Sequence, residues 1–201
     1  MTTIVFATRN PGKVVELAQL TREIPGLLIR GLQDFDVPEV AETGATFAAN
    51  ATLKALAVSR ATGLPALADD SGLQVDALEG APGVYSARYA GEHADDAANN
   101  AKLARAMRGQ TCKTARFRSV LALADVSGRL GGDVILAEGR CEGEILSEPQ
   151  GSGGFGYDPL FYVPALKMSF AQIDLATKNQ LSHRGKAMEV LLPKLIAYFA
   201  L

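Results

Sequence analysis

Apolar runs of two different periods alternate along the first third of this chain, and no other feature constrains its fold as strongly. Thr3 to Ala7, TIVFA, is short, β-favouring and free of charge, as a buried strand requires. It stops at Thr8-Arg9-Asn10-Pro11-Gly12-Lys13. There Asn10 is placed to cap a helix and Pro11 suits its first turn. Val14, Leu17, Ala18 and Leu20 then recur at helical spacing. A second strand is predicted over Leu27–Gly31, an acidic loop over 34–44, and a helix over 47–61 closed by Gly63 and Pro65. Residues 65–68 lead into Asp69-Asp70-Ser71-Gly72, which reads as a strand ending in a polar turn. A glycine- and proline-punctuated loop follows over 80–91, then a helix over 94–107. Two β-favouring runs, 114–125 and 133–144, flank Ser-Gly and Gly-Gly turn signals and predict a long antiparallel hairpin. The last element is a helix over 182–199, with Met188, Leu191, Leu192, Leu195 and Ile196 on one face and a kink at Pro193. Alternating strands and helices plus a central hairpin predict an α/β fold with a mixed sheet and flanking helices. Residues 1–201 read as one domain.

Composition narrows the function. The 20 basic and 22 acidic residues leave a net charge of -2, which does not fit a nucleic-acid-coating surface. Cys112 and Cys141 are the only cysteines, too few for a disulfide framework and outside any metal-ligand spacing. No basic-then-apolar leader precedes the first strand, and no run approaches the roughly 20 apolar residues of a membrane span. A cytoplasmic protein with no membrane and no nucleic-acid partner is expected.

Five segments carry chemistry. Thr8 to Lys13 joins a strand end to a helix start, where free N–H groups and the helix dipole favour anions. Lys13 and Arg9 add charge, and Thr8 and Asn10 add hydrogen-bonding groups. It is not a P-loop, since Ala7 and Val14 stand where glycine and Ser/Thr are needed. On its own it also reads as a capped helix with solvated charges. Asp69 and Asp70 are adjacent carboxylates, costly to hold together unless a cation relieves them. In an extended strand they face opposite ways, so the two can serve different roles. Glu42 matters only as a third carboxylate. The segment 151–159, GSGGFGYDP, formally contains GxGxxG, but Pro149 before it and Pro159 after it remove the strand and helix that a dinucleotide fold needs. What remains presents Phe155, Tyr157 and Asp158, an aromatic face and a carboxylate suited to a purine. Lys178, His183 and Arg184 cluster at a helix start that Ser182 is placed to cap. His93 has no evident partner and reads as a surface residue.

Taken together, TRNPGK at 8–13, ETG at 42–44, LADDSGL at 67–73, GAPGVYSARYAG at 80–91, GSGGFGYDPLF at 151–161 and SHRGKA at 182–187 resemble the inosine triphosphate pyrophosphatase family in its bacterial branch. The six motifs occur in collinear order over nearly the whole chain. The resemblance implies an elongated α/β fold with two lobes around a central cleft, a homodimer, and Mg2+-dependent hydrolysis of ITP, dITP and XTP to monophosphate and pyrophosphate. It further implies that Thr8, Arg9, Asn10, Pro11, Gly12 and Lys13 hold the triphosphate, with Thr8, Asn10 and Lys13 matching best. Asp70 is implied as general base and metal ligand, Glu42 and Asp69 as further metal ligands, and Ser71 as a substrate contact. Phe155 is expected to stack on the base, Gly156, Tyr157 and Asp158 to close its pocket, and Lys178, His183 and Arg184 to read the base and sugar-phosphate side. The loop at 80–91 acquires no role. A nucleotide-binding sensor without turnover is the competing expectation, against which the retained carboxylates weigh.

Overall fold

The computed structural model describes residues 2–22, 24–92 and 95–200. His93 and the first residue of the predicted third helix, Ala94, lie outside the described residues. Seven strands form one sheet in the order β2-β1-β3-β4-β5-β6-β7: β1 (Thr2–Phe6), β2 (Leu27–Gly31), β3 (Ala66–Val75), β4 (Thr114–Ala124), β5 (Val134–Ile145), β6 (Phe161–Val163) and β7 (Met168–Ser169). β1 runs parallel to β2 and β3, whereas β6 is antiparallel to β5 and β7, so the sheet is mixed and the fold is α/β as expected. The predicted hairpin strands β4 and β5 are sheet neighbours joined by residues 125–133, too short a link for a crossover helix. The helices are α1 (Pro11–Thr21), α2 (Phe47–Thr62), α3 (Asp96–Ala106), α4 (Leu175–Leu181) and α5 (His183–Phe199).

Local chemistry accounts for most boundaries. Asn10 accepts the Lys13 N–H at the start of α1, with Pro11 in the first turn. Thr46 accepts the Ala49 N–H to begin α2, and Gly63, left-handed at φ 67°, ends it. Each such N-cap is worth about 1 kcal/mol. In α5 the buried stripe is Ala187, Met188, Leu191 and Leu195. Ile196, expected on that face, is 40% exposed, and the helix continues through Pro193.

Three expectations need correction, and two strands were not foreseen. Asp69-Asp70-Ser71-Gly72 is not a turn: β3 continues through it to Val75, with Asp69 and Asp70 buried. The loop at 80–91 contains a 3-10 helix, Gly83–Arg88. Lys178 is not at a helix start but inside α4, a helix capped by Asp174. Strands β6 and β7, only three and two residues long, left no periodic signal in the sequence.

The chain forms two compact units. The first comprises residues 1–70, 119–139 and 184–201, and its core gathers Ile4, Phe6, Leu17, Leu67, Leu121, Leu123, Met188, Leu191 and Leu195. The second comprises 71–118 and 140–183, with a core built on Leu73, Val75, Leu103, Phe117, Tyr157, Phe161 and Phe170.

Candidate active site

In the first unit, buried charge collects where β3 carries Asp69 and Asp70. The two carboxylates face different partners, as strand alternation demands. Asp69 is fully enclosed: Oδ1 accepts the Ser119 hydroxyl at 2.6 Å, and Oδ2 accepts Lys13 Nζ at 2.9 Å and Arg184 Nη2 at 3.1 Å. Burial alone would raise the Asp69 pKa, but the Arg184 and Lys13 charges and the Ser119 hydrogen bond together hold it well below the usual carboxylate range. Arg184, itself buried, bonds Glu16 on α1 with its other amino group. Burial, aided by the neighbouring charges of Lys54 and Arg184, pulls the Lys13 ammonium below its ordinary value, although Asp69 opposes this.

Asp70 is held differently. Its Oδ1 accepts Lys54 Nζ at 2.9 Å, and the same ammonium reaches Glu42 Oε1 at 2.6 Å and the Asp69 carbonyl at 2.9 Å. The three donors of Lys54 are thus all used. The Asp70 Oδ2 is buried and has no hydrogen-bond partner among the described residues. Burial pushes the Asp70 carboxyl above its ordinary pKa even though Lys54 pulls the other way. Asp70 is therefore a buried carboxylate with one oxygen anchored and one without a hydrogen-bond partner among the described residues, and a raised proton affinity suits a base.

Both carboxylates on Lys54 also bear on metal binding. A hard divalent cation needs oxygen ligands and keeps waters and substrate phosphates in its shell, so one or two carboxylates suffice. The Asp70 carboxylate, with Glu42 alongside, fits that donor set. Both Asp69 oxygens are already engaged, which fits a different role. No group of three or more His, Cys, Asp or Glu side chains gathers into a metal cage among the described residues.

The rest of the first loop is less concentrated. Asn10 spends its side chain on the α1 cap, the Thr8 hydroxyl accepts the Asn10 N–H at 3.2 Å, and Arg9 donates to the Val37 carbonyl at 2.7 Å. Pro11 and Gly12 occupy the first turn of α1.

In the second unit, the glycine-rich loop is built around Asp158. Its Oδ2 accepts the Phe155 N–H at 2.9 Å and the Lys178 ammonium at 2.6 Å, the latter pair buried. A Cβ on Gly154 would lie 2.0 Å from that same oxygen, and its φ is 72°, so glycine is required there. Lys178 Nζ sits 4.8 Å from the Phe155 ring centre and 5.4 Å from that of Phe170. The aromatic chain continues: Phe170 stacks on Phe117, and Phe117 on His183 with centroids 4.8 Å apart. Phe155 is half-buried and lies outside the core cluster. Tyr157 is buried and donates to the Ser86 carbonyl, and burial raises its pKa. Ser71 is half-buried in β3, next to Asp70.

The structure thus brings together Lys13, Asp69 and Arg184 in one cluster, Glu42 and Asp70 in a second, and Phe155, Asp158 and Lys178 in a third. Sequence reasoning missed Lys54, Glu16 and Ser119. Lys54 left a faint signal, as one of two charges, with Arg60, in an otherwise alanine-rich helix. Glu16 left another, three residues after Lys13 and hence on the same face of α1.

An open mixed α/β sheet whose interior strand β3 carries a buried acid–base cluster defines the class of protein. The chain belongs to the Ham1 family, which it matches over residues 4–194. It is 56% identical over 189 residues to a dITP/XTP pyrophosphatase of Desulforamulus reducens, covering 92% of each chain. It is 50% identical over 202 residues, the full length of both, to a dITP/XTP pyrophosphatase of Vibrio parahaemolyticus. Among solved structures, a HAM1 protein from Coxiella burnetii superposes with a TM-score of 0.87 at 42% identity, over 98% of this chain and all of that one.

Proposed function

We propose that this protein is a Mg2+-dependent nucleoside triphosphate pyrophosphatase. It cleaves the α–β phosphoanhydride of ITP, dITP and XTP, releasing pyrophosphate and clearing non-canonical purines from the nucleotide pool. The observation that carries the reading is the Asp70 carboxylate, buried, raised in pKa, and without a hydrogen-bond partner at one oxygen among the described residues. Around it the chain supplies three cations, Lys13, Lys54 and Arg184, against four carboxylates, Glu16, Glu42, Asp69 and Asp70. Even with Arg9 there is no surplus of positive charge to meet a triphosphate. A divalent cation on Asp70 and Glu42 would supply that charge and polarise the phosphoryl oxygens.

In this reading the protein's own groups act by position and charge. Lys13 and the N–H groups at the start of α1 face the polyphosphate, with Thr8, Arg9, Asn10, Pro11 and Gly12 shaping the loop. Lys54 fixes Asp70 so that Oδ2 accepts a proton from the attacking water. Asp69 keeps Lys13 and Arg184 in place instead of binding metal. The base stacks on Phe155, and His183 with main-chain N–H groups favours a purine carrying oxygen at position 6. An adenine amino group there would leave a donor unmatched, worth roughly 1–3 kcal/mol. Arg184 is engaged by Glu16 and Asp69 and serves the phosphate side. The enzyme acts on free nucleotides as a cytoplasmic homodimer. Among the described residues no helix is long and apolar enough to cross a membrane.

The test is pyrophosphate release from ITP, with ATP and GTP as controls, with and without magnesium. Magnesium-dependent release from ITP alone supports the reading. Equal turnover of ATP and GTP removes the selectivity. Nucleotide binding without turnover makes the protein a sensor. A second expectation follows from the stacking role. Phe155→Ala should raise the KM for ITP about tenfold with kcat little changed, since base–aromatic stacking is worth ~1–3 kcal/mol. An unchanged KM would place the base elsewhere.

A further inference from the structure

Gly156, the residue after the stacking aromatic, is held by both of its main-chain groups, and both partners stand on α3. Its N–H donates to Asp96 Oδ2 at 2.6 Å, and its carbonyl accepts Asn100 Nδ2 at 2.7 Å. Asp96 and Asn100 are one helical turn apart and share a face. The second Asn100 amide hydrogen goes to the Asp96 carbonyl, also at 2.7 Å. The Asn100 Oδ1 is buried with no hydrogen-bond partner among the described residues. Turning that amide over would set its oxygen against two carbonyls, so its orientation is determined. Gly156 itself adopts φ 62°, a conformation glycine takes without strain.

The Phe155 N–H is already fixed from the other side by Asp158, so the main chain is gripped on both sides of the aromatic ring's attachment point. The platform is braced in turn. Asn99, buried on α3, accepts the Ala90 N–H and donates to the Ala87 carbonyl, while Tyr157 donates to Ser86. That gives the loop at 80–91 a physical role as the brace between α3 and the glycine-rich loop.

We propose that Asp96 and Asn100 are positioning residues that set the Phe155 ring for purine stacking, and that substrate affinity depends on this two-point grip. The inference rests on the nucleotide reading above and deepens it. Neither residue reaches the reacting atoms in this account. Their loss should therefore weaken binding and leave the chemical step alone.

The experiment compares Asn100→Asp, Asp96→Ala and Asp96→Asn with the wild type, in ITP kinetics and in amide hydrogen exchange of the apo protein. Asn100→Asp is nearly isosteric but opposes an acceptor to the Gly156 carbonyl. It and Asp96→Ala should raise the KM for ITP about tenfold, with kcat within about twofold, the factor expected when one such hydrogen bond is lost. Asp96→Asn keeps an oxygen for the Gly156 N–H and should stay near wild type. Exchange over 153–158 should accelerate in the first two variants, with the rest of the second unit unchanged. Unchanged KM values beside a working wild type would overturn the grip, and so would kcat and thermal stability falling together in all three. A wild type that does not turn over ITP would instead remove the nucleotide reading and the proposal with it.

Discussion

Replacing Asp70 with asparagine is expected to lower ITP turnover by about 10²–10⁴-fold, the usual contribution of a positioned base, while nucleotide still binds. Asparagine preserves the shape of the side chain and an oxygen for Lys54, so Glu42, Lys54 and Asp69 have no reason to move. What disappears is the proton acceptor at Oδ2. The pH profile supplies an independent check. Burial raises the Asp70 pKa in the metal-free protein and a cation on Asp70 would lower it, so the acid limb of kcat/KM in the wild type should move to lower pH as magnesium is raised. That limb should be absent from the residual activity of Asp70→Asn. Stability should move in the opposite sense from activity. A raised carboxyl pKa means that the ionised form disfavours folding above the folded-state pKa, and a neutral amide lacks that penalty. The variant's Tm at neutral pH should therefore equal or exceed that of the wild type. Turnover within tenfold of wild type would assign the base to another group.

The sequence exposed whatever was determined by neighbours along the chain. Asn10, Pro11, Thr46 and Gly63 act within four residues of themselves, and α1 begins, and α2 begins and ends, where those residues stand. The alternation in β5, buried at every second residue from Ala137 onward, is likewise local. The DDSG segment misled for the complementary reason. Four small polar residues favour a turn unless something distant satisfies them. Here Lys13, Lys54, Ser119 and Arg184 do so, from 15 to 115 residues away. The same distance hid Lys54 and Glu16, whose significance lies in partners that no periodicity reveals. Phe155 and Asp158 were read with Tyr157 on one loop, and Lys178 with His183 and Arg184 as a separate cluster. Their geometry was not foreseen, because the loop's shape depends on a buried ion pair 20 residues apart in sequence. Family resemblance indicated which residues to weigh for the site. It did not separate Asp69, with both oxygens engaged, from Asp70, with one lacking a hydrogen-bond partner among the described residues.

That division of labour gives the second large effect, on stability. Asp69→Ala should destabilise the protein by about 3–5 kcal/mol, because it leaves Lys13 and Arg184 buried without their common counter-ion. For a chain of this size the Tm should fall on the order of 10 °C. Asp69→Asn keeps an acceptor for Ser119 but removes the charge, and it should lose a substantial part of the same stability. The pH dependence has a definite sign. The folded-state pKa of Asp69 is depressed by Arg184 and Lys13, so its stabilisation is fully present above the ordinary value of 3.8 and is lost as pH falls through the folded value. The gap between wild type and Asp69→Asn should stay constant from pH 5 to 8 and close only below about pH 4. A double variant, Asp69→Leu with Arg184→Met, removes both buried charges and should be less destabilised than the sum of the two single changes. Urea denaturation of the four proteins measures this directly. If Asp69→Ala loses less than about 1 kcal/mol at pH 7, the interactions around Asp69 are those of an exposed ion pair. Asp69 would then be available to a metal, beside Asp70 and Glu42.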